Sequence, residues 1–338
     1  MSFSNRVITT TREKFLPKVV DTVLGQNFLA DRILTKAKRF TGTKIKKSVK
    51  ISKNTTGGSF IGYDLLSTNA TDNRIQLEFD PKFYQIAVSI PLTDLAPNAG
   101  EEAFIDLMKA ELEGSAQDAV DDIGTMLYGD GTGNGGKDFM GLDGIINDSG
   151  TYGGKSRTTY PTLRSTKTNS SGTLTLLKMA ALHDAVSSGK IVPTMGLTDE
   201  ATFSFYEALI KPSESYVITS SDIKSGVISG TGSKELHYRG MPIYKDEKCP
   251  AGKLYFLNEM YLDWYKAQMA MTEAINFGRQ EIEGNEFEGT DTKGIGFSWD
   301  NWQKPVQQAA IVTHIYLGGQ LISTNPKRHG VLYGITGI

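Results

Sequence analysis

The sequence predicts an α+β protein of elongated shape, and three patterns predict it. A helix of about 30 residues occupies 98–128, an alternating strand-like stretch precedes it at 43–92, and short strands dominate from residue 236 onward. At 338 residues the chain exceeds what one hydrophobic core commonly serves, so two or more core regions are expected. Apolar residues at 39% and charged residues at 22% are ordinary for a globular protein. The 36 glycines lie above the usual share of about 7% and predict many tight turns.

Several classes are excluded early. No apolar run approaches the roughly 18 residues of a membrane span, so no membrane partner is expected. The segment MSFSNRVITTTREKF lacks the apolar centre of a secretory signal. The lone Cys249 cannot form an internal disulfide, which fits a reducing cytoplasm. Charge is unevenly spread: residues 1–53 carry thirteen Lys/Arg and three acids, a net +10, leaving −12 for the remainder. A basic arm and an acidic body can attract copies of the chain to one another. A solvated basic face or contact with nucleic acid fits the same distribution. Only Phe40 interleaves the basic stretch 32–53, so stacking on bases is poorly supported.

Along the chain, residues 15–36 read as a broken amphipathic helix. Phe15, Leu16, Val19, Val20, Val23, Leu24, Phe28, Leu29, Ile33 and Leu34 recur three and four apart, with Pro17 at the start and Gly25 as a break. Residues 43–92 switch to period two, with Ile75, Leu77, Phe79, Tyr84, Ile86, Val88 and Ile90 alternating with mostly polar or small residues. The polar NTTGG and STNATDN segments interrupt them, which suggests an extended antiparallel loop and not a compact core. In the long helix, Asn98 and Glu101 suit a capping box, and an apolar face runs from Ala103 to Leu127. Residues 129–172 read as loop, 173–188 and 199–211 as helices, the latter capped by Thr198 or Asp199. In AAIVTHIYLGGQLI, Gly318–Gly319 predict a turn or bulge.

The search for chemistry returns no strong pattern. Gly131, Gly133 and Gly136 match G-x-G-x-x-G, and Gly131–Lys137 matches G-x-x-x-x-G-K. Such loops cradle phosphate only between a strand and a helix. Here a helix leads in, and Asp138 stands where a Ser or Thr would meet magnesium, so a structural loop is favoured over a nucleotide-binding enzyme. Asp130, Thr132, Asn134 and Asp138 hint at a calcium loop, but Gly141 replaces the bidentate Glu. His183, His237, His314 and His329 have no metal-site spacing, and Cys249 has no neighbouring His. Trp299 and Trp302 fit strand packing better than sugar stacking. No catalytic residue, cofactor or metal is expected.

Three stretches carry a resemblance. LYGDGTGNGGKDFMGLDGII at 127–146, LHYRGMPIYKDEKCPAGKLYFLN at 236–258 and FSWDNWQKPVQQAAIVTHIYLGGQLISTNPKRHGVLYGI at 297–335 resemble, in order, segments of tailed-bacteriophage major capsid proteins of the Hong Kong 97 type. The resemblance implies an N-terminal arm (1–42), an extended loop with flanking strands (43–92) and a peripheral domain (93–170) whose spine is the 98–128 helix. It further implies an axial domain (171–254), a peripheral return (255–308) and C-terminal strands closing the axial domain (309–338). It implies hexamers and pentamers of this chain forming an icosahedral virion shell around double-stranded DNA bound without sequence specificity. Synthesis would be in the bacterial host cytoplasm. A portal is an implied partner, and scaffolding would come from a separate protein or from a segment already removed. An encapsulin-like compartment on the same fold is the alternative. The assembly-interface candidates are Phe15, Leu16, Phe28, Leu29, Arg39, Lys53, Phe60, Tyr63, Phe79 and Tyr84. No local pattern identifies a Lys–Asn crosslink.

Overall fold

The computed structural model describes residues 27–40, 42–69, 71–92, 101–210, 236–267, 297–299, 303–305 and 308–338. In chain order the elements are α1 (Phe28–Leu34), β1 (Lys38–Phe40), β2 (Ile45–Lys50), β3 (Arg74–Phe79), β4 (Lys82–Pro91) and α2 (Glu101–Tyr128). Then come β5 (Thr151–Tyr152), β6 (Lys155–Ser156), β7 (Thr166–Thr173), α3 (Leu176–Val186), β8 (Met195–Thr198) and α4 (Glu200–Ile210). The chain continues through β9 (Leu236–Tyr238), β10 (Met241–Lys245), β11 (Leu254–Leu257), β12 (Leu262–Ala267), β13 (Phe297–Trp299), β14 (Ala310–Ser323) and β15 (Gly330–Gly337).

The strands form two main sheets. In the first, the order is β1-β12-β14-β13, and β4 pairs with β14 along its other edge over ten residues, from Pro91↔Ala310 to Lys82↔Gly319. In the second, the order is β7-β15-β11-β8-β10-β9. β2 and β3 form a separate two-stranded antiparallel ribbon. Each main sheet anchors a core, as the length predicts. One gathers Leu29, Leu34, Leu112, Val120, Ile123, Leu127, Trp264, Leu317 and Leu321; the other gathers Met179, Leu182, Val186, Tyr206, Ile243, Phe256 and Leu332.

α2 is helical for 28 residues, about 42 Å at 1.5 Å each. Leu112, Ala116, Ala119, Val120, Ile123 and Leu127 make the buried face at spacings of three and four. Asn98, its expected cap, lies outside the described residues, as do Pro17 and Gly25. α1 abuts α2 where Gly124 leaves room: a Cβ there would sit 2.1 Å from Asn27 Nδ2. Asn27 caps α1, its side chain accepting from Ala30 N at 3.2 Å. Thr175 and Asp199 cap α3 and α4 in the same way, accepting from Lys178 N and Thr202 N.

Four expectations need correction. Residues 166–173 are a strand, β7, paired in parallel with β15, although TKTNSSGT is polar throughout. β14 runs unbroken through Gly318–Gly319, where no turn or bulge occurs. The two glycines serve close packing instead. A Cβ on Gly319 would fall 2.5 Å from the Trp264 ring, and one on Gly318 2.9 Å from the Phe83 ring. The stretch 43–92 is not wholly extended: β4 joins the first sheet, and Ile45, Leu77, Phe79, Val88 and Ile90 are buried core residues. Finally, of the 309–338 strands only β15 belongs to the second sheet, while β14 builds the first.

The junction after α2 explains the glycine-rich motif. The chain leaves the helix at Gly129 and returns past its end, where a Cβ on Gly141 would meet the carbonyl oxygens of Met126, Leu127 and Gly129 at 2.4–2.6 Å. Beyond it, Arg157 is buried and binds four backbone carbonyls: Gly144, Ile145, Ser149 and Leu163, at 2.8–3.2 Å. Burial holds its pKa below the usual arginine value. One cation thus ties together a loop with little regular structure.

Candidate assembly surface

The groups that could carry chemistry are committed to structure. Gly133–Gly136 forms one irregular turn with Asn134 and Gly135 at positive φ, and no strand leads into it. A cleft of about 460 Å³ lies between this turn, β4 and α2, with Asp122, Asp138 and Lys137 on its walls. Two carboxylates beside one lysine suit a phosphate poorly. Asp130 is used locally, its Oδ1 accepting from Thr132 N and Oγ1, which lowers its pKa. Among the described residues no three His, Cys, Asp or Glu side chains group as metal ligands.

Cys249 is buried, and desolvation pushes its thiol pKa up, with the nearby Asp199 and Asp246 adding to the effect. His329 is fully buried, and desolvation lowers its pKa to about 3. The neutral ring accepts from Asn258 N at 3.3 Å through Nδ1 and donates to Ser323 Oγ at 2.8 Å through Nε2. It therefore fastens the end of β14 and the start of β15 to the loop after β11. His183 packs against the Tyr238 and Phe256 rings. Trp302 and the Trp299 side chain lie outside the described residues.

What remains is surface. Between β2 and β3, residues 51–69 and 71–73 have no regular secondary structure and carry, among the described residues, the greatest concentration of exposed apolar side chains. Phe60 is 66% exposed, Ile61 82%, and Tyr63 and Leu65 are fully exposed, with Leu66 beside them. Asp64 closes the local turn by accepting from Ile61 N at 2.9 Å. Isolated chains rarely leave five large apolar side chains within seven residues in water.

The ten sequence-named interface candidates divide four ways. Phe60, Tyr63, Lys53 and Arg39 are exposed. Leu29 and Phe79, at 0% and 4% exposed, face this chain's own core, Phe79 edge-on to Tyr152 at 5.1 Å, so neither offers a surface to a neighbour. Phe28 is half-buried and stacks on Tyr244 at 4.0 Å, and half-buried Tyr84 donates to Asp122 Oδ2 at 2.9 Å. Phe15 and Leu16 lie outside the described residues. Ile61, Leu65 and Leu66 were not singled out from sequence, although their clustering in an otherwise polar loop was a usable signal.

No family model and no curated protein matches the sequence. Solved structures do match, over nearly the whole chain. The capsid of cyanophage A-1(L) aligns with a TM-score of 0.65 at 16% identity, covering 92% of this chain and 93% of that one. The SrpI encapsulin of Synechococcus elongatus PCC 7942 aligns at 0.54 and 12% identity over 91% and 87%. The capsid of the myovirus XM1 aligns at 0.54 and 9% identity over 91% of each. The chain therefore has the mixed helix-and-sheet fold of phage capsid and encapsulin shell proteins, the fold class that the three sequence stretches implied.

Proposed function

We propose that this chain is the major capsid protein of a tailed phage. Copies assemble as hexamers and pentamers into an icosahedral shell that encloses double-stranded DNA, and the role is structural, not catalytic. One observation carries the reading: the exposed apolar cluster at 60–66 stands on a ribbon outside both main sheets, as a contact waiting for another copy of the chain does. The fold shared with capsids supports it, and so does the commitment of His183, His329, Cys249 and the Gly133–Gly136 turn to packing. On this reading 1–42 is the arm and 43–92 supplies the extended loop. α2 is the spine of the peripheral domain (93–170 and 255–308). The second sheet, with α3 and α4, forms the axial domain, so β7 and β11 carry its boundaries a few residues into those flanking ranges. A scaffolding protein and a portal are further partners. The finished protein resides in the virion after synthesis in the host cytoplasm.

Electron microscopy of the purified chain tests the proposal. Closed particles or rings are expected, and a variant with Phe60, Tyr63 and Leu65 all changed to Ser should stay folded and unassembled. A monomer at every concentration would overturn it. The encapsulin match favours one second reading, a compartment enclosing protein cargo. Nucleic acid inside purified particles decides for the capsid, and packaged protein for the compartment.

A further inference from the structure

An asparagine side chain can react with its own backbone when the next amide nitrogen is uncrowded, unbonded and open to solvent. The sequence contains one Asn–Gly step, Asn134–Gly135, in the turn after α2. Both residues are exposed, and both lie at positive φ, 49° and 68°. Around them, the Gly136, Lys137 and Asp138 amides donate to the Thr132 and Gly133 carbonyls at 3.0–3.5 Å. The Gly135 amide has no acceptor among the described residues, and the Asn134 side chain has no hydrogen-bond partner there. A Cβ placed on Gly135 or Gly136 would meet no atom within 4 Å, so the space around the step is open.

Every other described asparagine lacks one of these features. Asn27 and Asn258 cap helical turns, accepting from Ala30 N and Met260 N. Asn54 and Asn169 close local turns by accepting from Thr56 N and Ser171 N. Asn147 accepts at 2.9 Å from Asp148 N, the amide that would have to attack it. Asn325 precedes Pro326, which has no N–H. Asn69 and Asn73 precede Ala70 and Arg74, whose side chains crowd the nitrogen as a glycine does not.

We propose that Asn134 is a self-modification site, converting with water as co-reactant to aspartate and isoaspartate through a cyclic imide. The Gly135 N–H gives its proton to solvent base, its nitrogen bonds to the Asn134 side-chain carbonyl carbon, and ammonia leaves. Water then opens the ring. Breaking the new bond leaves aspartate at this position, whereas breaking the original peptide bond reroutes the main chain through the side chain as isoaspartate. No oxidant or reductant is consumed. Ring closure requires Asn134 to rotate away from its ψ of 41°, and only a few bonds hold the turn against that rotation. Either product adds a carboxylate to a cleft already walled by Asp122 and Asp138. Isoaspartate also lengthens the chain beside Gly136, whose carbonyl accepts from Lys82 Nζ on β4, so it strains the strap between the turn and the first sheet. The chemistry is independent of what the chain assembles into.

Ageing the purified full-length chain at neutral and mildly alkaline pH, folded and in urea, tests the proposal. Tryptic digestion releases residues 110–137 as one peptide, in which mass spectrometry reads the exchange of the side-chain amide for a carboxyl. Labelling by an isoaspartyl methyltransferase reads the rerouted isomer. Asn134 should convert fastest of the described asparagines in the folded chain, at a rate within about tenfold of its rate in urea, because opening the turn costs little. Both isomers should appear, and the rate should rise with pH, since the attacking nitrogen must lose its proton. Asn134→Gln should abolish the conversion, and Gly135→Ala should slow it at least about tenfold by crowding the nitrogen, with circular dichroism checking the fold of each. The wild-type measurements stand even if a variant fails to fold. Folding that protects Asn134 by more than about tenfold, or faster conversion at another described asparagine, would overturn the proposal. Aspartate without isoaspartate would mean direct hydrolysis in place of ring closure and would overturn it equally.

Discussion

Replacing Arg157 by methionine keeps most of the buried volume and removes every N–H of the guanidinium. The four carbonyls it binds are those of Gly144, Ile145, Ser149 and Leu163. Ile145 keeps a second donor in Ser165 Oγ at 3.3 Å, so three carbonyls lose their side-chain partner. Stranding a buried acceptor costs about 1–3 kcal/mol each. Part of that is offset, because the variant no longer desolvates a cation whose pKa burial already depresses. The net loss should be about 3–5 kcal/mol, the range for breaking a buried charged network. With a urea slope of about 3 kcal/mol/M, the unfolding midpoint should fall by about 1–1.7 M at unchanged slope. Equilibrium urea unfolding of the purified chain, followed by circular dichroism and by fluorescence of buried Trp264, measures it. Arg157→Lys should recover less than half of the loss, because an ammonium cannot reproduce the planar fork. A midpoint within about 0.3 M of wild type for the methionine variant would refute the idea that this cation holds the loop.

Three further outcomes are expected. His329 charges near pH 6.5 in an unfolded chain but only near pH 3 when folded, so its contribution is complete above pH 6.5 and lost as pH falls toward 3. The loss should reach about 3 kcal/mol by pH 4, and His329→Gln should flatten that part of a pH series of urea midpoints. Gly319→Val should cost about 1–3 kcal/mol in the same assay, because its side chain would enter the space of the Trp264 ring. Gly141→Ala should lower the thermal midpoint and reduce soluble yield, since the added carbon meets three carbonyl oxygens at the end of α2; an unchanged midpoint would mean the junction relaxes freely.

Much of the architecture was legible because its periodicities were strong. α2 spans enough turns for its apolar face to stand out, and α3, α4, β10 and β11 have clear patterns at close to their observed bounds. β7 was illegible because TKTNSSGT has the composition of a loop; its strand character comes from pairing with β15 and from burial of Ser170, both long-range. Gly318–Gly319 misled for a similar reason, since only the fold brings Trp264 and Phe83 over those positions. At the assembly surface, period-two alternation announced that one face of Phe79's strand is covered. It could not say whether the cover is this chain's own core or a neighbour's, and for Phe79 it is the chain's own. The exposed tip was half legible: Phe60 and Tyr63 stood out as aromatics, whereas Ile61, Leu65 and Leu66 passed as ordinary loop residues.

The β2–β3 ribbon has only two strands, and its ends differ. Ile45 and Phe79 tie the inner pair into the core, while Lys50 and Arg74 at the far pair have one another's charge to contend with. An uncovered hairpin is barely stable in water. Amide protons should therefore exchange along a gradient, slowest at Ile45 and fastest near Lys50, in any solitary copy. On the shell reading, a neighbouring copy that clamps the last few residue pairs would even out that gradient, so the ribbon's rigidity would report how many siblings are nearby.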